Sequence, residues 1–249
     1  MSTSTLVLHR GGRLVTVDEL NAVDAPPQQG RWYPLAHRTV LTRVKETLGE
    51  AGYVVKREQL GLAKADARFF GTLDLSTPLS EGVTLSVGIR NSFDKSFPIG
   101  FAAGSRVFFC DNLSFSGQLM CRRKHTRHGE LRFGNDVAAT VVRLGQFKDD
   151  ETKRIAAMKV TEIGDVLADS LILNAYYRGI VPTPYLPKIV KHWREPEHEE
   201  FKARTLWSLA NAFTSATGDK AKANPSAYSV TTMRLTGFLS PHAAPALAA

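Results

Sequence analysis

Between residues 53 and 123 the apolar side chains recur at every second position, and after Gly129 they recur at every third or fourth. This change of period restricts the fold more than any other feature. A repeat of two lines one face of a pleated strand, whereas a repeat of 3.6 lines one face of a helix. Val83, Leu85, Val87 and Ile89 alternate with polar or small residues, as a sheet with one covered face requires. Strands are expected over 53–55, 67–75, 83–89 and 106–110. Each is rich in β-branched or aromatic residues, and Gly, Pro, Asn and Asp clusters separate them.

The helical repeat first shows in 37–52, where Val40, Val44 and Leu48 share a face and Gly52 supplies a stop. Past Gly129, Val137, Val141 and Leu144 fall on one face, and Asp149-Asp150-Glu151 opens a further helix. The spacing predicts another helix over 161–177, with Ile163, Val166, Leu167, Ser170, Leu171 and Asn174 on its stripe and Gly179 and Pro182 at its end. A rigid Pro-rich connection at 181–187 follows. The last two helices are expected over 199–216, with Phe201, Leu206, Leu209 and Phe213 facing the core, and over 226–239.

Strands in one run and helices in the next give an α+β fold: an antiparallel sheet over about 53–123, with mostly C-terminal helices packed on one face. The expected organisation is a loosely ordered segment over 1–36, one domain over 37–240 and a disordered tail over 241–249. Within the first segment, 6–8 and 14–17 are expected to form a hairpin around Gly11-Gly12, followed by a linker over 21–30.

The apolar runs fall short of the roughly 18 residues that span a bilayer. No cationic start precedes an apolar core at the N-terminus, so no secretory signal is read. Cys110 and Cys121 form no Cys-x-x-Cys pair and read as reduced packing residues, which makes the cytoplasm the expected compartment. No membrane partner is expected.

Charge separates the function classes. Residues 53–128 carry eleven Lys and Arg against six Asp and Glu, a net of +5 out of the chain's +8. A polyanion is drawn to such a segment, although a basic solvated surface gives the same count. The excess peaks in Cys121-Arg122-Arg123-Lys124-His125-Thr126-Arg127-His128. Arg and Lys supply phosphate contacts there, and Thr126 and the amides of a following helix start add hydrogen bonds. Arg90 and Lys95 form a second ring of cations. Phe93, Phe97, Phe108, Phe109 and Phe115 are expected in the core, with stacking on unpaired bases as the alternative. The nucleic-acid site so read comprises Arg90, Lys95, Arg122, Arg123, Lys124, His125, Thr126, Arg127 and His128.

His125 and His128, with Glu130 and Asp136 after them, raise the question of a metal. The adjacent cations repel a divalent ion, and the two-histidine helix motif with its glutamate is missing. Asp94 and Asp111 are expected to make side-chain turns at strand ends. The alternative use of the pair is to hold Mg²⁺ in a nuclease-like site. Phosphate-loop, dinucleotide-binding and Gly-x-Ser-x-Gly signatures are missing, so neither a cofactor nor catalytic residues are assigned.

The order Arg90-Asn-Ser-Phe-Asp-Lys-Ser96, Arg106-Val-Phe-Phe-Cys-Asp-Asn-Leu113 and Arg123-Lys-His-Thr126 resembles a bacterial domain-of-unknown-function family labelled phage/plasmid-related protein. Asn174-Ala175 and Trp207-Ser-Leu-Ala-Asn-Ala-Phe-Thr214 carry the same resemblance, which covers about residues 40–240. It implies a setting of mobile elements, where DNA is the common substrate, and delivers no activity. The leading expectation is single-stranded DNA binding or annealing in recombination or replication, with DNA as partner and a homo-oligomer to tile the strand. The alternatives are a divalent-metal nuclease using Asp94, Asp111 and His125, and a protein-interaction or counter-defence module that grips an acidic partner.

Overall fold

The computed structural model describes residues 12–107, 113–218 and 225–243. Six antiparallel strands form one sheet in simple sequence order: β1 (Arg13–Val15), β2 (Val55–Ala63), β3 (Arg68–Ser80), β4 (Val83–Ser92), β5 (Ile99–Val107) and β6 (Leu113–Arg123). Each strand from β2 onward pairs with the next, so every turn between them lies at one of the two ends of the sheet.

Alternation sorts the side chains. Phe69, Leu73 and Leu75 of β3, Leu85, Val87 and Ile89 of β4, and Ile99, Phe101 and Ala103 of β5 are buried on one face. Against that face pack Val40, Val44 and Leu48 of α2 (His37–Glu50) and Phe133, Val137 and Val141 of α3 (Gly129–Val142). α4 (Leu144–Val160), α7 (Leu206–Ala216) and α8 (Pro225–Leu239) close the same side: Met158, Trp207, Asn211 and Leu235 line a small cavity with Ser105 and Val107 of β5. The α+β reading is thus the fold observed.

The opposite face is polar. Asp74 accepts hydrogen bonds from Arg106 Nε and Ser86 Oγ, each at 2.7 Å, and Arg106 also reaches Thr72 Oγ1 at 3.1 Å. All four residues are buried. Between them the register sets Gly88 beside Ala102, and Ser86 beside Gly104. Small residues on this face explain why β5 is hard to read from sequence. Ile99-Gly-Phe-Ala-Ala-Gly-Ser lacks the β-branched run expected of a strand, and the strand expected over 106–110 only touches its end.

The N-terminal part differs from its expected form. Leu14 pairs with Gly61 of β2, and Thr16 caps the short helix α1 (Val17–Asn21) in a reciprocal capping box with Glu19. Leu20 is fully buried. Residues 6–8 and Gly11 of the expected hairpin lie outside the described residues, as do 244–249. Helix α5 (Asp165–Tyr177) starts later than its expected bound, because Ile163 donates its N–H to the Arg204 carbonyl at 2.8 Å and so helps close the bridge between Glu162 and Thr205. The Pro-rich connection forms a 3₁₀ turn, Thr183–Tyr185, that runs into α6 (Leu186–Arg194), where Pro187 is tolerated in the first turn. No helix among the described residues is long and apolar enough to cross a membrane.

Candidate functional site

Because the strands alternate in direction, the β2–β3 turn (64–67), the β4–β5 loop (93–98) and the β6–α3 loop (124–128) emerge at the same end of the sheet. The segment ahead of α2 joins them: Tyr33 donates its N–H to the His125 carbonyl at 3.4 Å, and Lys95 Nζ donates to Gln29 Oε1 at 3.0 Å. Among the described residues, all four non-glycine residues with positive φ stand in two of these turns: Lys64 (56°), Ala65 (49°), Asp66 (62°) and Lys95 (60°). A side chain in this region costs on the order of 1 kcal/mol, so the surroundings must impose it. They do so through His37 Nε2 on the Asp66 carbonyl at 3.0 Å and the Phe93 N–H on the Ala67 carbonyl at 2.7 Å.

On the polar face at this end, the register aligns Phe70, Arg90, Gly100 and Arg122 across β3 to β6. With no side chain at Gly100, Arg90 and Arg122 become neighbours. The Arg90 guanidinium lies 5.4 Å from the centre of the Phe97 ring and that of Arg68 lies 6.0 Å from it, while Phe70 packs on the same ring at 5.1 Å. Burial lowers the Arg90 pKa from its usual value, and the charge of Arg122 pushes it the same way. Arg68 is paired with Asp94 at 2.6 Å. Lys95 Nζ sits 4.8 Å from the Trp32 ring.

The eight-residue basic run divides. Arg122 projects on the polar face, whereas Arg123 points to the helical face and is held by Asp136 of α3, with Nη2 to Oδ1 at 2.8 Å. Lys124, Thr126, Arg127 and His128 are exposed, and no salt bridge among the described residues engages the three cations Arg122, Lys124 and Arg127. His128 precedes α3 without a side-chain cap. His125 turns inward: its Nδ1 accepts the Leu35 N–H at 3.0 Å, and its ring meets Trp32 edge-on at 5.9 Å. Burial lowers its pKa, against the pull of the backbone of Ser92 and Tyr33. Sequence reasoning therefore groups these nine residues more tightly than the structure does. The structure brings Arg90, Lys95, Arg122, Lys124 and Arg127 to one end of the sheet, turns Arg123 onto Asp136 of α3 and buries His125.

Sequence reasoning missed three contributors. Lys64 and Arg68 are far from the basic run in sequence, and the meander order sets both at the same end of the sheet. His37 is fully buried, stacked on Phe93 with ring centres 3.9 Å apart, and its Nδ1 accepts from Asn91 Nδ2 at 3.0 Å. Burial pushes its pKa down to about 4. Asn91 Nδ2 also reaches the Leu35 carbonyl at 2.7 Å, so the two histidines and Asn91 form one support at that end of the sheet.

Asp94 does other work. Asp94 pairs with Arg68, and its Oδ1 accepts the Ser96 N–H at 3.1 Å, the side-chain turn expected of such a position. No group of three His, Cys, Asp or Glu able to hold a metal occurs among the described residues. Phe93 and Phe97 are half-buried, between core and surface. Cys121 is a free thiol on the helical face, its pKa pushed up to about 11 by burial. Phe108, Phe109, Cys110 and Asp111 lie outside the described residues, as does the side chain of Phe115.

Fold and site together define an α+β protein with a cationic, aromatic-backed end to its sheet. Comparison with protein-family models, with curated proteins and with solved structures gave no match.

Proposed function

We propose that this chain binds nucleic acid, single-stranded DNA in preference, along the rim formed by Arg68, Arg90, Lys95, Arg122, Lys124 and Arg127. The observation that carries this reading is the pairing of Arg90 with Arg122 across Gly100, above the Phe97 ring. Two guanidiniums held side by side repel one another, and an anion between them removes that repulsion. Phosphate accepts from both, and a strand that tracks the rim meets further cations on either side. Phe97 and Trp32, each already under a cation, offer aromatic surface close to the phosphates, which favours a strand with unstacked bases over a duplex. A role in recombination or replication of a mobile element agrees with the family resemblance of the Arg90–Ser96 and Arg123–Thr126 segments.

The test is fluorescence anisotropy with labelled single- and double-stranded DNA of one length, titrated at several salt concentrations. Tighter binding of the single strand, with affinity falling linearly in log salt, is the expected result. Absence of binding to either DNA near physiological salt overturns the proposal.

A further inference from the structure

Helix α5 is apolar on two sides, and the described residues of the chain cover only one of them. Ala168, Leu171, Ile172 and Ala175 are buried. On the other side Val166 is 87% exposed, Leu173 45% and Tyr177 72%. Together with exposed Ser170 these residues are spaced four, three and four apart, the spacing of a seam between two helices. Leu167 and Tyr176 widen the strip. An apolar strip along a helix ordinarily packs on a partner surface, and among the described residues this one stays exposed.

We infer that α5 is the contact between two copies of this chain, packed antiparallel about a two-fold axis level with the Leu171–Ile172 bond. Such an interface is isologous, so every residue must suit the one that the symmetry sets opposite. The antiparallel pairing places Ser170 against the partner's Leu173, small against large, and Val166 against the partner's Tyr177. On one flank Asp169 comes beside the partner's Tyr176, whose phenol donates to a carboxylate. On the other flank Leu167 meets the partner's Asn174. The acidic first turn, Asp165 and Asp169, lies alongside the basic end of the partner's helix. There Arg178 is exposed, and Arg234 bonds the Arg178 and Gly179 carbonyls at 2.6 and 2.8 Å. Helix dipoles oppose in this arrangement. A parallel pairing aligns the dipoles and sets acid beside acid. Arg194 bonds Asp169 at 2.7 Å and leaves the carboxylate further lone pairs for the phenol.

Sedimentation velocity on the full chain across a wide concentration range tests this. A monomer–dimer equilibrium is expected, weakened about tenfold or more in Leu173→Glu. Far-UV circular dichroism should stay unchanged, because the side chain is exposed. Ser170→Arg, on the same seam, repeats the test with the opposite charge. Under mild oxidation the double variant Val166→Cys/Tyr177→Cys should cross-link above the level of the wild-type chain, and Val166→Cys alone should not. A monomer at every concentration, a dimer insensitive to both seam variants, or cross-linking of Val166→Cys alone overturns the inference.

Discussion

Arg90 lies across the backbone of Gly100: a Cβ built on that glycine meets Arg90 Nε at 3.0 Å and Cγ at 3.1 Å. The absent side chain therefore sets where the guanidinium rests, over Phe97 and beside Arg122. Gly100 has ordinary strand geometry, and the atoms it meets belong to a flexible side chain. Replacing it by Ala should move Arg90 and leave the sheet intact. The expected outcome is a several-fold loss of single-strand affinity with little change in the urea midpoint. Unchanged affinity in a normally folded Gly100→Ala protein would show that the position of Arg90 is immaterial.

Neighbouring cations in the basic run should differ sharply in effect. Arg122→Ala removes a cation from the polar face, so it should weaken DNA binding and reduce the salt slope by about 1. Arg123 is held by Asp136 on the helical face. Arg123→Ala should leave the slope unchanged and cost at most about 1 kcal/mol of stability, because the pair is partly exposed to solvent. Equal salt slopes for the two variants would remove the alternation of β6 from the account of binding.

That contrast also marks what the sequence makes legible. The two-residue period of Val83–Ile89 and the helical period of Val40, Val44 and Leu48 are local patterns, and both lead to the elements observed. β5 escapes because its polar-face positions are Gly100, Ala102 and Gly104, which carry no strand signal. The basic run is conspicuous as a string of letters, yet strand alternation divides Arg122 from Arg123, and the chain folds His125 inward onto Leu35 and Trp32. Lys64 and Arg68 come to the same end of the sheet only through the order of the strands, a long-range property that residue spacing does not carry. Nothing in the spacing of His37 and Asn91, 54 positions apart, announces that they share a hydrogen bond.

The histidine support predicts how stability depends on pH. His37 Nε2 faces the Asp66 carbonyl and so carries the proton, while Nδ1 accepts from Asn91. His125 Nδ1 likewise accepts, from the Leu35 N–H. Both rings are thus fixed in the neutral form. The His37 pKa lies near 4 when folded and near its ordinary 6.5 when unfolded, so the unfolded chain binds the extra proton between those values. Stability should therefore fall as pH drops from about 6.5 to about 4. His37 contributes roughly 3 kcal/mol of that loss, and His125 adds to it in the same direction. Urea unfolding at several pH values should show a shallower decline for His37→Asn than for the wild-type chain. Parallel profiles would mean that His37 titrates alike in both states.

The buried pair on the polar face should behave in the opposite way to the exposed ones. Arg106 and Asp74 are at most 1% exposed and bonded at 2.7 Å, with Ser86 on the same carboxylate oxygen. Removing one partner leaves a buried charge, so Arg106→Met should cost about 3–5 kcal/mol. Removing both removes the two desolvation penalties along with the attraction, so Asp74→Leu/Arg106→Met should recover much of that loss. The pair reaches from β3 to β5 across β4 at the level of Ser86, four residues along that strand from Arg90. DNA affinity of the folded double variant should accordingly match that of the wild-type chain. Urea unfolding of the two single variants and the double variant gives the coupling directly. A double variant no more stable than Arg106→Met would show that the polar face depends on this ion pair for its packing, and not on the volume it fills.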